Sequence, residues 1–211
     1  VKPSTNDNTN PAGGISSCAE DMAKWMLVLL SKGQLADGTR LYSDRTFREL
    51  TTLVTPMPNP GPAPELAALK TDFNGYALGL RVKEYRGLKV VTHTGGLAGY
   101  VSQVWLIPDA GLGITVLTNQ ESEEAYAALT MFITDYYLQA PKTDWLDAYL
   151  KVKARDEART EEIVKKAAAA RDTGSRPSLV LEKYAGTYVD AWYGPIDIAL
   201  EGGKLVIRFT K

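Results

Sequence analysis

The sequence predicts an α+β protein: an antiparallel sheet packed with helices, then a helical linker, then a short antiparallel β module. Three observations carry this. Apolar residues alternate through the middle of the chain, in runs joined by short turn-like connections. Stretches on either side, around 17–30 and 122–139, repeat apolar residues at helical spacing. Beyond them a charged, alanine-rich run gives way to two apolar runs joined by Gly202-Gly203. The boundaries fall at 1–140, 141–176 and 177–211.

Residues 1–14 are polar and read as a loop. Ser17 with Glu20 has the spacing of a capping box, in which the two side chains satisfy free N–H groups at a helix start. The helix behind it sets Met22, Trp25, Met26, Leu29 and Leu30 on one stripe, and Gly33 stops it. A second short helix starts at Ser43 and buries Phe47 and Leu50. Residues 56–64, five of them proline, form an extended loop.

Tyr76, Leu78, Leu80 and Val82 alternate as on one half-buried strand. Arg86-Gly87 is a turn into a strand at Leu88 to Thr92. A strand from Val101 to Ile107 ends in Pro108-Asp109-Ala110-Gly111, a β-turn leading to a further strand, Leu112 to Leu117. Such short connections imply an antiparallel meander. Tyr126, Leu129, Ile133, Tyr136 and Tyr137 mark a helix packed on that sheet. Trp145, Leu146, Tyr149 and Leu150 anchor another, and Lys151 to Ala170 reads as an exposed helical linker that Gly174-Ser175-Arg176-Pro177 breaks. The last β region covers Leu179 to Val189, Ile196 to Leu200 and Leu205 to Phe209.

Composition excludes several functions. Lysine plus arginine is 24 against 25 acidic residues, so nothing argues for nucleic acid. One cysteine and one histidine leave no disulfide framework and no histidine- or cysteine-built metal site. No apolar run is long enough for a membrane span. Phosphate-loop, dinucleotide and calcium-loop motifs are absent. Glu123-Glu124 is first-turn helix charge, and Trp105 and Trp192 are core or pocket-wall residues.

The chemistry points to His93-Thr94-Gly95-Gly96, followed by Gly99-Tyr100. The only histidine sits where an apolar strand meets glycines. Backbone without side chains lets a substrate approach main-chain N–H donors. In isolation, strand-edge glycines more often serve a bulge or tight bend than a reaction, and it is the neighbouring segments that favour chemistry. Two further segments join this one in order: Pro11 to Ser17 leading into Ala19 to Trp25, and Val104 to Asp109 through Gly113 to Asn119.

Together the three resemble the serine β-lactamase and penicillin-binding-protein superfamily over about residues 10–140, in its class-C-like esterase and D-aminopeptidase branch. Residues 177–211 resemble the opening of the lipocalin-like module that often follows. The resemblance implies acyl transfer by a serine hydrolase on an ester, amide or β-lactam, without a cofactor. It implies that Gly96 supplies an oxyanion-hole N–H, and that Thr94, Gly95 and Tyr100 contact substrate. His93 stands where the family carries lysine. It either binds a substrate carboxylate as a cation or shapes the pocket as a neutral ring, and the second is favoured.

Two family motifs are missing. No serine has a lysine three residues on, and no tyrosine has an asparagine two residues on. Ser4-Thr5-Asn6 is read as chance. The expectation is a part of a longer enzyme, inactive alone, whose small-molecule or peptide substrate meets a nucleophile from the preceding half. The alternative is a non-catalytic scaffold that binds peptidoglycan fragments or a protein partner. Cut strand edges could pair as a homo-oligomer. A naturally short chain would instead pack its last hairpin on the first domain. The resemblance suggests a periplasmic or secreted protein. Leu129→Asp is expected to destabilise the chain, and His93→Ala to affect ligand binding more than stability.

Overall fold

A computed structural model describes residues 10–209. The Ser-Thr-Asn run at 4–6 lies outside the described residues. Two compact units meet between Arg159 and Thr160.

The first unit is a six-stranded antiparallel meander with helices on both faces. Its strands are β1 (Thr55–Pro56), β2 (Asn74–Tyr76), β3 (Arg81–Tyr85), β4 (Leu88–Leu97), β5 (Tyr100–Ile107) and β6 (Leu112–Thr118), in spatial order β1-β2-β3-β4-β5-β6. The helices are α1 (Asn10–Gly13), α2 (Ala19–Leu30), α3 (Asp44–Thr51), α4 (Glu123–Tyr137) and α5 (Trp145–Ala169). The second unit holds the end of α5 and a separate sheet, β7 (Gly186–Asp190), β8 (Gly194–Glu201) and β9 (Lys204–Phe209). The α+β class and the meander are as the alternation and turns predict.

Strand alternation distributes the core between the two faces. On one, Val90, Trp105, Ile107 and Ile114 meet Ala128 and Met131 of α4 and Trp145 and Ala148 of α5. On the other, Val91 and Leu106 meet Met26 and Leu29 of α2. Gly113 lets α2 approach: a Cβ there would lie 3.2 Å from Met26 Cβ.

Several local expectations are corrected. The N-cap of α2 is Cys18, not Ser17, and its thiol lies 3.7 Å from Asp21 Oδ2. Within α2, Trp25 is exposed and Val28 buried. Part of the leader is helical, the single turn α1. The second helix is capped by Ser43, which accepts from the Thr46 N–H, and it buries Phe47 and Thr51 while Leu50 is only partly covered.

The strand expected through Tyr76 to Val82 is a hairpin. Ala77 N–H donates to Leu80 O at 2.7 Å, and Gly79 takes φ 79°, which glycine accepts without strain. Period-two alternation survives a tight turn, so the pattern concealed the reversal.

The core-facing side of α4 also differs. Tyr126 is buried and Ile133 packs against the core as expected, and Ala128, Thr130, Met131, Thr134 and Asp135 are buried with them, whereas Leu129 is 50% exposed and Tyr136 and Tyr137 are exposed. Threonine tolerates this burial because its hydroxyls are satisfied: Thr134 donates to Thr130 O at 2.7 Å and Thr130 to Gln103 Oε1 at 2.8 Å. Leu129 therefore does not anchor the helix. In α5, Trp145 is buried while Leu146 and Leu150 are exposed. Ion pairs Arg155–Glu65 (2.8 Å) and Lys153–Glu124 (3.4 Å) hold its first part.

In the second unit, residues 181–184 form a 3₁₀ turn and the strand begins only at Gly186. Gly202 and Gly203, at φ 54° and 75°, close the expected hairpin. The register gathers Tyr188, Ile196, Ile198, Leu200, Leu205, Ile207 and Phe209 on one face. The other face carries the Thr187–Asp197 hydrogen bond and the Glu201–Arg208 ion pair.

Candidate functional site

The glycine-rich segment is itself strand. β4 runs unbroken from Leu88 to Leu97, without the bulge or tight bend that glycines at a strand edge more often mark. Its burial changes abruptly: Val90, Val91 and Thr92 are buried and residues 93–97 are exposed. The cause is the length of its neighbour. The Arg86-Gly87 turn, both residues with positive φ, fixes the β3–β4 register, and β3 reaches only to Arg81 opposite Thr92. The hairpin at 77–80 has by then turned the chain away. From His93 onward, β4 has β5 on one side and, among the described residues, no strand on the other.

The turn at Ala98-Gly99 determines which backbone groups face that open edge. Gly99 takes φ 82°, and its N–H donates to Glu121 Oε1 at 2.9 Å. A two-residue turn makes Leu97 and Tyr100 a hydrogen-bonded pair, so Gly95↔Ser102 and His93↔Val104 are bonded pairs too. Thr94 and Gly96 consequently direct N–H and C=O away from β5, toward the side that β3 has vacated.

The two central glycines serve different ends. A Cβ on Gly95 would lie 2.5 Å from Ser102 Oγ, so Gly95 admits the serine opposite it. A Cβ on Gly96 would meet nothing within 4 Å. The space over Gly96 is open, and packing does not demand a glycine there.

His93 and Gly95 share one face of the sheet, and Thr94 and Gly96 share the other. What the four have in common is the free edge. Tyr100, 41% exposed, lies across the turn opposite Leu97. It is four register positions from the His93 row, or about 13 Å along the strand.

One contact has no signature in the sequence. His93 Nε2 lies 2.9 Å from the hydroxyl of Tyr76, with the rings edge-on at 69°. Seventeen residues separate the pair. Tyr76 read only as an alternating strand residue, and no local motif could have joined it to the histidine.

Behind this edge, Lys83 lies with its ammonium 4.6 Å from the Trp105 ring centroid. Burial, assisted by the nearby Arg81 charge, lowers its pKa to about 8. Among the described residues, no group of His, Cys, Asp and Glu side chains could hold a metal ion, and no helix is long and apolar enough to cross a membrane.

With the geometry established, comparison with known proteins identifies the class. The Beta-lactamase family profile matches residues 1–137, and the chain belongs to that family. A second profile, a domain of unknown function (DUF3471), matches residues 170–211. Two curated relatives are similar. Unguisins hydrolase ungD of Aspergillus violaceofuscus is 27% identical, across 92% of this chain and 36% of its own length. Unguisins hydrolase ungD' of Aspergillus campestris is 28% identical, across 89% and 34%. This chain thus spans about a third of the length of the curated relatives it matches. Among solved structures, the octameric penicillin-binding protein homologue from Pyrococcus abyssi is similar at 18% identity and a TM-score of 0.49, over 94% of this chain and 37% of that one.

Proposed function

We propose that this chain carries the oxyanion-binding sheet edge of a serine hydrolase that works by acyl transfer on an ester, amide or β-lactam. One observation carries the reading: the N–H of Gly96 lies on the open side of β4, under space that no side chain fills. Attack on a carbonyl places negative charge on its oxygen, and a fixed backbone N–H stabilises that charge without reorganising. Family membership and the hydrolase names of both relatives support the same class.

Each residue has a role in this scheme. Gly96 donates to the oxyanion. Thr94, on the same edge, offers a hydroxyl to a polar substrate group. Gly95 keeps the strand flat against Ser102, and His93 borders the pocket on the other face. The nucleophile and its base come from polypeptide beyond this sequence, which has no serine followed three residues later by lysine. The nucleophile's own N–H is the second oxyanion donor. The helical segment 141–176 then links this half-site to a lipocalin-like module opening at 177.

Intact-mass spectrometry after incubation with a penicillin or an activated ester tests the reading. The expected result is an unmodified 23.0 kDa chain and an acylated longer protein. An adduct on this chain would make one of its own serines the nucleophile. A longer protein that resists every probe would replace hydrolysis with binding.

A further inference from the structure

We propose that Tyr76 is a positioning residue. Its hydroxyl holds His93 as the neutral tautomer protonated on Nδ1, so that the site offers an N–H donor to a substrate oxygen. The inference rests on the reading of the β4 edge as the substrate site, and it names what that site recognises: a hydrogen-bond-accepting oxygen, carbonyl or carboxylate, rather than a donor.

The argument begins with the two rings. Tyr76 Oη and His93 Nε2 are 2.9 Å apart, within ordinary hydrogen-bond reach. Either atom could donate. A phenol O–H is a stronger acid than the N–H of a neutral imidazole, and the unprotonated ring nitrogen is the stronger acceptor. The proton therefore lies on the phenol oxygen and Nε2 accepts it. Among the described residues the Tyr76 hydroxyl has no other hydrogen-bond partner, so no second acceptor competes for that proton.

A neutral imidazole has one N–H, and with Nε2 accepting it sits on Nδ1. No described residue bonds Nδ1, and the His93 side chain is exposed. A ligand at the edge thus meets a donor. The backbone N–H groups of Thr94 and Gly96 on the same edge are further donors, alternating with their own C=O acceptors, so the histidine N–H adds a donor that the strand backbone alone does not balance. Fold geometry builds this pairing: β2 ends at Tyr76 just where β3 gives out beside His93.

The only histidine in the chain makes the test direct, because its ring nitrogens resonate alone. Two-bond ¹H–¹⁵N correlation spectra, recorded on the neutral plateau of the ring's titration, report the tautomer. The expected result is a protonated Nδ1 and an unprotonated Nε2. A wild-type ring protonated on Nε2 overturns the proposal without any variant. In Tyr76→Phe the Nδ1–H population should fall, and an unchanged tautomer there also overturns it.

Acetate and acetamide are the probes for the substrate oxygen. Movement of Nδ1 with acetate alone assigns a carboxylate, and with acetamide alone a carbonyl. Movement with neither overturns recognition of an oxygen. Tyr76→Phe should weaken the responsive titration between about two- and tenfold, the worth of one hydrogen bond. Failure of the hydrolase reading would appear as absent acylation in the longer protein and would leave the tautomer result standing.

Discussion

The carboxylate of Asp135 on α4 accepts a 2.6 Å hydrogen bond from the hydroxyl of Tyr85 at the end of β3. Both are buried. The indole of Trp145 donates to the other carboxylate oxygen at 2.8 Å, and Arg86 lies 3.2 Å from the first. One side chain thus ties sheet, α4 and α5 together. Asp135→Ala leaves a buried phenol and a buried indole without an acceptor, and should cost about 2–5 kcal/mol in denaturant unfolding. Asp135→Asn keeps one carbonyl acceptor and should cost less. Equal losses from the two would mean that the carboxylate's charge and second acceptor oxygen, which Asn lacks, carry the whole contribution, and that packing carries none.

Buried phenols make stability fall in alkali. Burial pushes Tyr149 up to about 12, and burial with the Asp135 bond raises Tyr85 further. The folded state therefore favours the protonated phenol. The stabilisation is complete below the unfolded tyrosine value of about 10 and is lost as pH rises through the folded values. The phenols' contribution to the urea midpoint should hold level to pH ~10 and then drop, superimposed on the rise that Lys83 brings above pH ~8. Tyr149→Phe should soften the drop while leaving neutral stability nearly unchanged.

Lys83 has the opposite sign. Its folded pKa of about 8 lies below that of a free lysine, so the unfolded chain binds the proton more tightly. Stability should rise with pH from about 8 to about 10.5, and the full penalty applies below that window. Lys83→Met removes the ammonium and should stabilise the protein at pH 7 by about 1–2 kcal/mol after loss of the contact to Trp105. Urea melts of the variant across this window should lose the slope. A variant less stable than wild type at pH 7 would mean that the aromatic contact outweighs desolvation.

On α4 the structure reverses the expectation for Leu129. Half exposed, Leu129→Asp should shift the melting temperature little, by less than about 1 kcal/mol in stability. Met131, 3% exposed in the core, should lose about 2–5 kcal/mol on Met131→Ala. The same pair of variants in one thermal scan distinguishes the two helix faces.

Gly95 and Ser102 should couple. Gly95→Ala pushes a methyl against Ser102 Oγ, which must rotate to another rotamer, and should cost about 0.5–1.5 kcal/mol. Adding Ser102→Ala removes the obstructing oxygen and should restore most of it. Additive losses in the double-mutant cycle would show the clash to be relieved elsewhere. Gly96→Ala, with free space over its Cα, should leave the melting temperature unchanged.

What the sequence by itself determined is local or periodic. Alternation and turn chemistry placed the strands at Leu88 to Thr92, Val101 to Ile107 and Leu112 to Leu117 in order, because short connections permit only antiparallel neighbours. The ordered motifs around His93 and Trp105 pointed to the family, and Gly202-Gly203 marked the last hairpin. Tertiary structure alone decided three things. Alternation could not reveal the reversal at Gly79, since a tight turn preserves period two. Hydrophobic spacing placed Tyr126 and Ile133 of α4 on the core correctly but added Leu129, Tyr136 and Tyr137, which are exposed, and missed the hydrogen-bonded threonines Thr130 and Thr134 that are buried in their place. The site's own geometry depends on where β3 stops: only that length exposes the edge at Thr94 and Gly96 and brings Tyr76 to His93 across seventeen residues. Contacts of that kind are set by register between strands, which no short window of sequence encodes.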